Sequence, residues 1–77
     1  MTLLEAVATV SPELWLTFVR NGPEVRRAVV QEAERMARDR LLALEGVRDT
    51  IGPHLSEIHE LERAWAVLAH ALEEVRE

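Results

Sequence analysis

Each of the three histidines of the chain is followed, three residues later, by a glutamate: His54 by Glu57, His59 by Glu62 and His70 by Glu73. Residues three apart share one face of an α-helix, and an imidazole beside a carboxylate is a donor pair for a divalent cation. Di-iron bundles, however, use Glu-x-x-His in the opposite order and point it inward. In the helix derived below, His59 and His70 fall on outward positions and His54 lies at a turn. We therefore predict no metal site and no cofactor.

A second acidic pattern is Glu57-x-x-Glu60 followed by Glu74-x-x-Glu77. These four residues resemble the magnesium-binding motifs of all-α nucleotide pyrophosphohydrolases, and the resemblance implies a metal-dependent hydrolase with carboxylate ligands. Such motifs line an interior pocket, whereas Glu60, Glu74 and Glu77 fall on the predicted solvent face. The chain has no Gly-rich phosphate loop and no Ser/His/Asp arrangement, and a thin helical bundle leaves no room for a substrate pocket of several hundred Å³. We predict that the protein is not an enzyme and has no small-molecule substrate.

The amino-acid composition excludes several further classes of function. The chain has 77 residues, which corresponds to a single small domain, and no cysteine, which excludes disulfides and thiolate chemistry. The chain has nine arginines, no lysine and 14 acidic residues, which gives a net charge of −5. The overall charge therefore gives no electrostatic reason to expect nucleic-acid binding. A helix-turn-helix regulator over residues 12–40, with Arg26, Arg27 and Arg35 toward phosphates, is kept as the alternative function.

Prolines, glycines and capping residues divide the chain into four predicted helices. Thr2 and Glu5 form a capping box before a helix at 3–9, and Ser11-Pro12 starts a second helix that Asn21-Gly22 ends. Gly22-Pro23 starts a third helix that runs to Ile51, Gly52-Pro53 closes it, and residues 54–76 form the last helix. The predicted fold is all-α: two short helices in 1–21 packed on one side of an antiparallel, coiled-coil-like hairpin in 22–77, with 23–51 against 54–76.

Apolar residues at alternating steps of three and four predict how the two long helices meet. Each facing pair of positions adds to 105 in residue number, for example Leu44 with Leu61, which sets an a position against a d position at every layer. At one layer the indole of Trp65 faces Arg40, and we expect a cation–π contact there. The predicted seam consists of Ala37, Arg40, Leu44, Leu61, Trp65, Leu68 and Leu72.

One flank of this seam is an almost uncharged strip that needs a cover; its residues are Val29, Met36, Ala43, Ala64 and Ala71. Two covers fit the sequence: the N-terminal helices of the same chain, or a second hairpin in a four-helix bundle. Trp15, near the start of a helix too short to be stable alone, is either an interface anchor or part of the intramolecular core. The predicted partner interface consists of Leu14, Trp15, Phe18, Val29 and Met36.

These observations favour a small non-enzymatic protein that binds proteins, either by self-association into a homodimer or higher oligomer or by docking on a larger complex. The N-terminal residues carry no basic stretch before the apolar ones, and no apolar run approaches 18 residues. We therefore expect neither a signal peptide nor a membrane span, and a cytoplasmic location.

Overall fold

The structure, a computed structural model, describes residues 1–45 and 55–75, with side chains for 1–45 and 56–73. Over these residues the chain forms four helices and no strand, which confirms the all-α prediction: α1 is Leu3–Val10, α2 is Pro12–Arg20, α3 is Pro23–Glu45 and α4 is Leu55–Val75. The predicted continuation of the third helix to Ile51 and the Gly52-Pro53 turn lie outside the described residues. None of the described helices combines the length and the apolar character that crossing a membrane requires.

The two short helices begin where the capping residues predict. Thr2 Oγ1 accepts a hydrogen bond from the Glu5 amide at 3.2 Å and donates its hydroxyl proton to the Glu5 carboxylate at 3.1 Å. Ser11 ends α1 by donating its amide to the Val7 carbonyl at 2.9 Å, and its Oγ accepts from the Leu14 amide at 3.4 Å. One extended residue therefore ends one helix and starts the next, with Pro12 at the first helical position.

In the core, α1 packs against the two long helices, α3 and α4. α1 packs on α4 and also contacts α3 and α2. Alanine and valine make up most of the cluster where these helices meet, and such small side chains allow helix backbones to pack closely. The core cluster comprises Ala6, Val7 and Val10 of α1, Val29, Val30, Ala33 and Ala37 of α3, and Leu61, Ala64 and Leu68 of α4.

One of the two covers that fit the sequence is present within the chain, because α1 lies over part of the uncharged strip. Val29 and Ala64, from the uncharged strip, are 5% and 0% exposed and belong to the core cluster with α1 residues. The first helix of the same chain therefore covers the strip at Val29 and Ala64, whereas Ala43 is exposed. α2 lies outside this layer, against α1 and α3.

The two long helices run in opposite directions. Val30, early in α3, lines the same groove as Leu72, late in α4, whereas Leu44 near the described end of α3 lines a groove with Leu61, early in α4. The helices also pack on each other.

Candidate interaction surfaces

The residues that suggested metal or acid–base chemistry lie on the surface. His59, His70, Glu57 and Glu60 are exposed. Among the described residues, no group of three or more histidine, aspartate or glutamate side chains is placed to hold a metal ion. His54 and the side chains of Glu74 and Glu77 lie outside the described part of the chain, so the second half of the acidic pattern is not placed.

An open groove of about 570 Å³ lies beyond the end of α1, lined in part by Thr9, Arg40, Glu57 and Glu60. The expectation that the bundle has no room for a pocket of this size was wrong. At about 1.5 Å per residue, α1 is only about 12 Å long and α3 about 35 Å, so α1 leaves part of the α3–α4 pair uncovered. The two carboxylates on this groove are exposed.

The predicted seam residues lie mostly in or against the core. Ala37, Leu61 and Leu68 are buried, and the partly buried seam residues Leu44, Trp65 and Leu72 pack against the core cluster. Arg40 is the exception because it is largely exposed.

Arg40 and Trp65 do not form the predicted cation–π pair. Arg40 Nη1 donates a hydrogen bond to the Val10 carbonyl at 2.9 Å, and Trp65 Nε1 donates to Glu34 Oε1 at 3.1 Å. Carbonyls in the last turn of a helix lack intrahelical partners, so the end of α1 offers the guanidinium an acceptor. A partly buried indole N–H likewise needs an acceptor, and Glu34 supplies it.

We predict that Arg40→Met lowers the free energy of unfolding by about 1 kcal/mol, because the Val10 carbonyl loses a charged donor that joins α1 to α3. Urea unfolding followed by circular dichroism measures this change. Arg38→Met is the matched control: Arg38 is exposed, its ion pair with Glu34 is 3.8 Å long, and we expect a change below about 0.5 kcal/mol. Equal losses in the two variants would contradict a role for Arg40 in holding α1.

The predicted partner interface is only partly accessible. Val29 is buried in the chain's own core, so in this fold it is not available to a partner. Leu14, Trp15, Phe18 and Met36 are half-buried and pack against the core cluster, which gives Trp15 an intramolecular environment. Sequence reasoning did not separate these roles because the strip accepts either cover.

The most exposed large apolar residues of α2 are Leu16 and Val19, at 42% and 39% exposure, and neither belongs to the predicted partner interface. We call these two residues the α2 face. The sequence does indicate that part of α2 stays exposed. At about 100° per residue, its large apolar residues span an arc of roughly 200° around the helix. These residues are Leu14, Trp15, Leu16, Phe18 and Val19. One packed face of a helix covers about half of that arc, so part of this run must remain uncovered.

The arginines considered for phosphate contacts make contacts within the chain. Arg26 Nε donates to the Phe18 carbonyl at 2.9 Å, and its guanidinium lies over the Phe18 ring, 5.1 Å from the centroid. Arg35 pairs with Glu32 at 3.1 Å. These contacts join the end of α2 to the start of α3 and compensate one charge on α3.

No family model, no curated protein and no solved structure matches this chain.

Proposed function

We propose that this chain is a small, non-enzymatic protein–protein interaction protein of the cytoplasm, and that it assembles with a second copy of itself through the α2 face. The observation that carries the proposal is that α2, a nine-residue helix with five large apolar side chains, buries none of them completely. Helices of this length are not stable in water by themselves. α2 therefore depends on α1 and α3 on one side and gains from a partner on the other.

The scaffold proposed for this surface is one domain over residues 1–77. In it, α3 and α4 form an antiparallel hairpin, and α1 and α2 pack on one side of it. The opposite directions of α3 and α4 and the burial of α1 against both support this arrangement. Because Arg26 holds the end of α2, the α2 face is presented on a fixed element.

The size of the exposed area predicts weak association. Leu16 and Val19 retain about two-fifths of their surface exposed, and completing their burial contributes roughly 1 kcal/mol for each side chain. A symmetric contact brings two copies of each, or roughly 4 kcal/mol of apolar burial in total. The loss of translational and rotational freedom of the two chains offsets part of this gain, so the dissociation constant is expected to be about 1 mM or higher. Dimerisation is therefore expected only at high protein concentration.

Light scattering at about 20 μM and about 1 mM protein tests the proposal. We choose a salt concentration of about 0.5 M, because exposed ion pairs are screened there while apolar contacts persist. We expect the wild-type mass to rise with concentration and the double variant Leu16→Asp/Val19→Asp to remain monomeric.

Thr17→Asp is the matched control, because it adds a carboxylate to an exposed position of the same helix without changing the α2 face. This variant should associate as the wild type does. A wild type that stays monomeric at both concentrations, or a double variant that associates as well as the control, would refute self-association through α2.

A further inference from the structure

A second apolar surface lies where residues of all four helices meet. It is an open groove of about 480 Å³. Its apolar lining comes from Leu3 of α1, Phe18 of α2, Val30 of α3 and Leu72 of α4, and its charged lining includes Arg26 and Arg27. Glu24 also lines it, so these charged residues give the groove a net charge of +1. We call this surface the arginine groove.

One arginine of the groove is held in place before any ligand arrives. The Nε hydrogen bond to the Phe18 carbonyl uses one of the five guanidinium N–H groups of Arg26, and the Phe18 ring supports the guanidinium from one side. A side chain fixed in this way loses little further conformational entropy when it donates to a carboxylate. The groove therefore suits a ligand that combines an apolar side chain with a carboxylate.

The described part of the chain carries such a ligand at the other end of α3. Leu42 is 62% exposed, more than the other exposed large apolar side chains. Asp39 and Glu45, three residues before and three residues after it, lie on the same helix face and are exposed. Arg38, one turn earlier, is paired with Glu34. We call Leu42 with Asp39 and Glu45 the leucine knob.

The knob and the groove of one molecule lie apart along α3. Sixteen residues separate Arg26 from Leu42, which corresponds to about 24 Å along the axis. Leu42 therefore cannot enter the groove of its own chain while α3 remains helical. Only a second molecule brings the two surfaces together.

We propose that the leucine knob of one copy inserts into the arginine groove of the next, with Asp39 or Glu45 accepting hydrogen bonds from Arg26 and Arg27. In this contact the Leu42 side chain packs against the apolar lining of the groove, and the carboxylates of the knob lie beside the guanidinium groups of the groove. The contact is head-to-tail, so each added copy leaves one knob and one groove available for further growth. The inference rests on the proposed assembly function in general, but it uses residues outside the α2 face.

The test uses the full chain carrying Leu16→Asp/Val19→Asp, so that association through α2 does not contribute. Sedimentation velocity at about 1 mM protein and about 50 mM salt should show species larger than dimers, and raising the salt to about 0.5 M should dissociate them. Adding Leu42→Ser should weaken association at least about tenfold, and so should Arg27→Glu, which leaves the Arg26–Phe18 contact in place. Val25→Ser, at an exposed position outside the knob and the groove, should have no effect.

A mixture of two variants makes the test specific. A chain with Leu42→Ser keeps its groove, and a chain with Arg27→Glu keeps its knob. Mixed in equal amounts, they should form dimers and nothing larger, because the remaining ends cannot pair. A monomeric starting chain at low salt, or a mixture that stays monomeric or grows beyond dimers, would refute the head-to-tail contact. Because the α2 face is already disabled, none of these outcomes depends on the test of the proposed function.

Discussion

Replacing Leu68 with alanine should lower the free energy of unfolding by about 2–5 kcal/mol. Leu68 is 0% exposed and belongs to the core cluster. Leu68 and Val7 are the largest completely buried side chains among the described residues. The substitution removes buried methyl groups from α4 and leaves a cavity that the helices cannot fill without moving. At about 0.05–0.15 kcal/mol per residue, a 77-residue domain has only about 4–12 kcal/mol of stability to lose. The variant is therefore expected to lose a large share of its stability and to unfold at a clearly lower temperature than the wild type.

Urea and thermal unfolding followed by circular dichroism measure this loss. Leu42→Ala is the matched control because it removes the same atoms from a leucine that is 62% exposed, and it should change stability by less than about 0.5 kcal/mol. If the two leucine variants lost equal stability, α4 would not be packed as the structure shows.

Replacing Val7 with aspartate should lower the free energy of unfolding by about 3–5 kcal/mol at neutral pH, because it places an unpaired carboxylate in the core. Val7 is 0% exposed, and α1 has no way to turn that side chain outward without uncovering Ala6 and Val10, which are also buried. We expect α1 to leave the long helices and the apolar strip beneath it to become accessible. Binding of a dye that fluoresces on apolar surfaces reports this exposure directly.

The sign of the pH dependence separates charge burial from a simple packing defect. Burial raises the pKa of the introduced carboxyl above its unfolded value of about 3.9. The variant should therefore be less destabilised, relative to the wild type, below about pH 4, and lose stability as the pH rises through the folded-state pKa. Leu4→Asp, at a 39% exposed position of the same helix, should show a loss below about 1 kcal/mol without this pH dependence. Matching losses in the two variants would contradict the burial of α1.

The starts of α1, α2 and α3 were the most predictable part of the fold because local chemistry determines them. The Thr2 and Ser11 hydroxyls accept the amides that the capping rules assign to them, and Pro12 and Pro23 stand at the first helical positions. These interactions involve residues at most a few positions apart, and the sequence displays their partners side by side.

Contacts between distant parts of the sequence were less predictable, because more than one partner could cover the same apolar surface or accept the same hydrogen bond. The strip around Val29 accepts α1 or a second hairpin equally well, and only three-dimensional packing shows that α1 is there. Arg40 had a plausible aromatic partner in Trp65, but the unpaired carbonyls at the end of α1 are invisible until that end is placed beside α3. The same short α1 also leaves the groove beside Glu57 and Glu60, which periodicity along α3 and α4 did not reveal.

The burial of α1 against α4 also has a consequence for synthesis on the ribosome. Val7 and Val10 are made about 50 residues before Leu61, Ala64 and Leu68, which cover them. At about 5–20 residues per second, the apolar side of the first helix waits several seconds for that cover. Slow codons between positions 11 and 61 lengthen the wait, so translation speed over that stretch sets how long the apolar side of α1 stays without its cover.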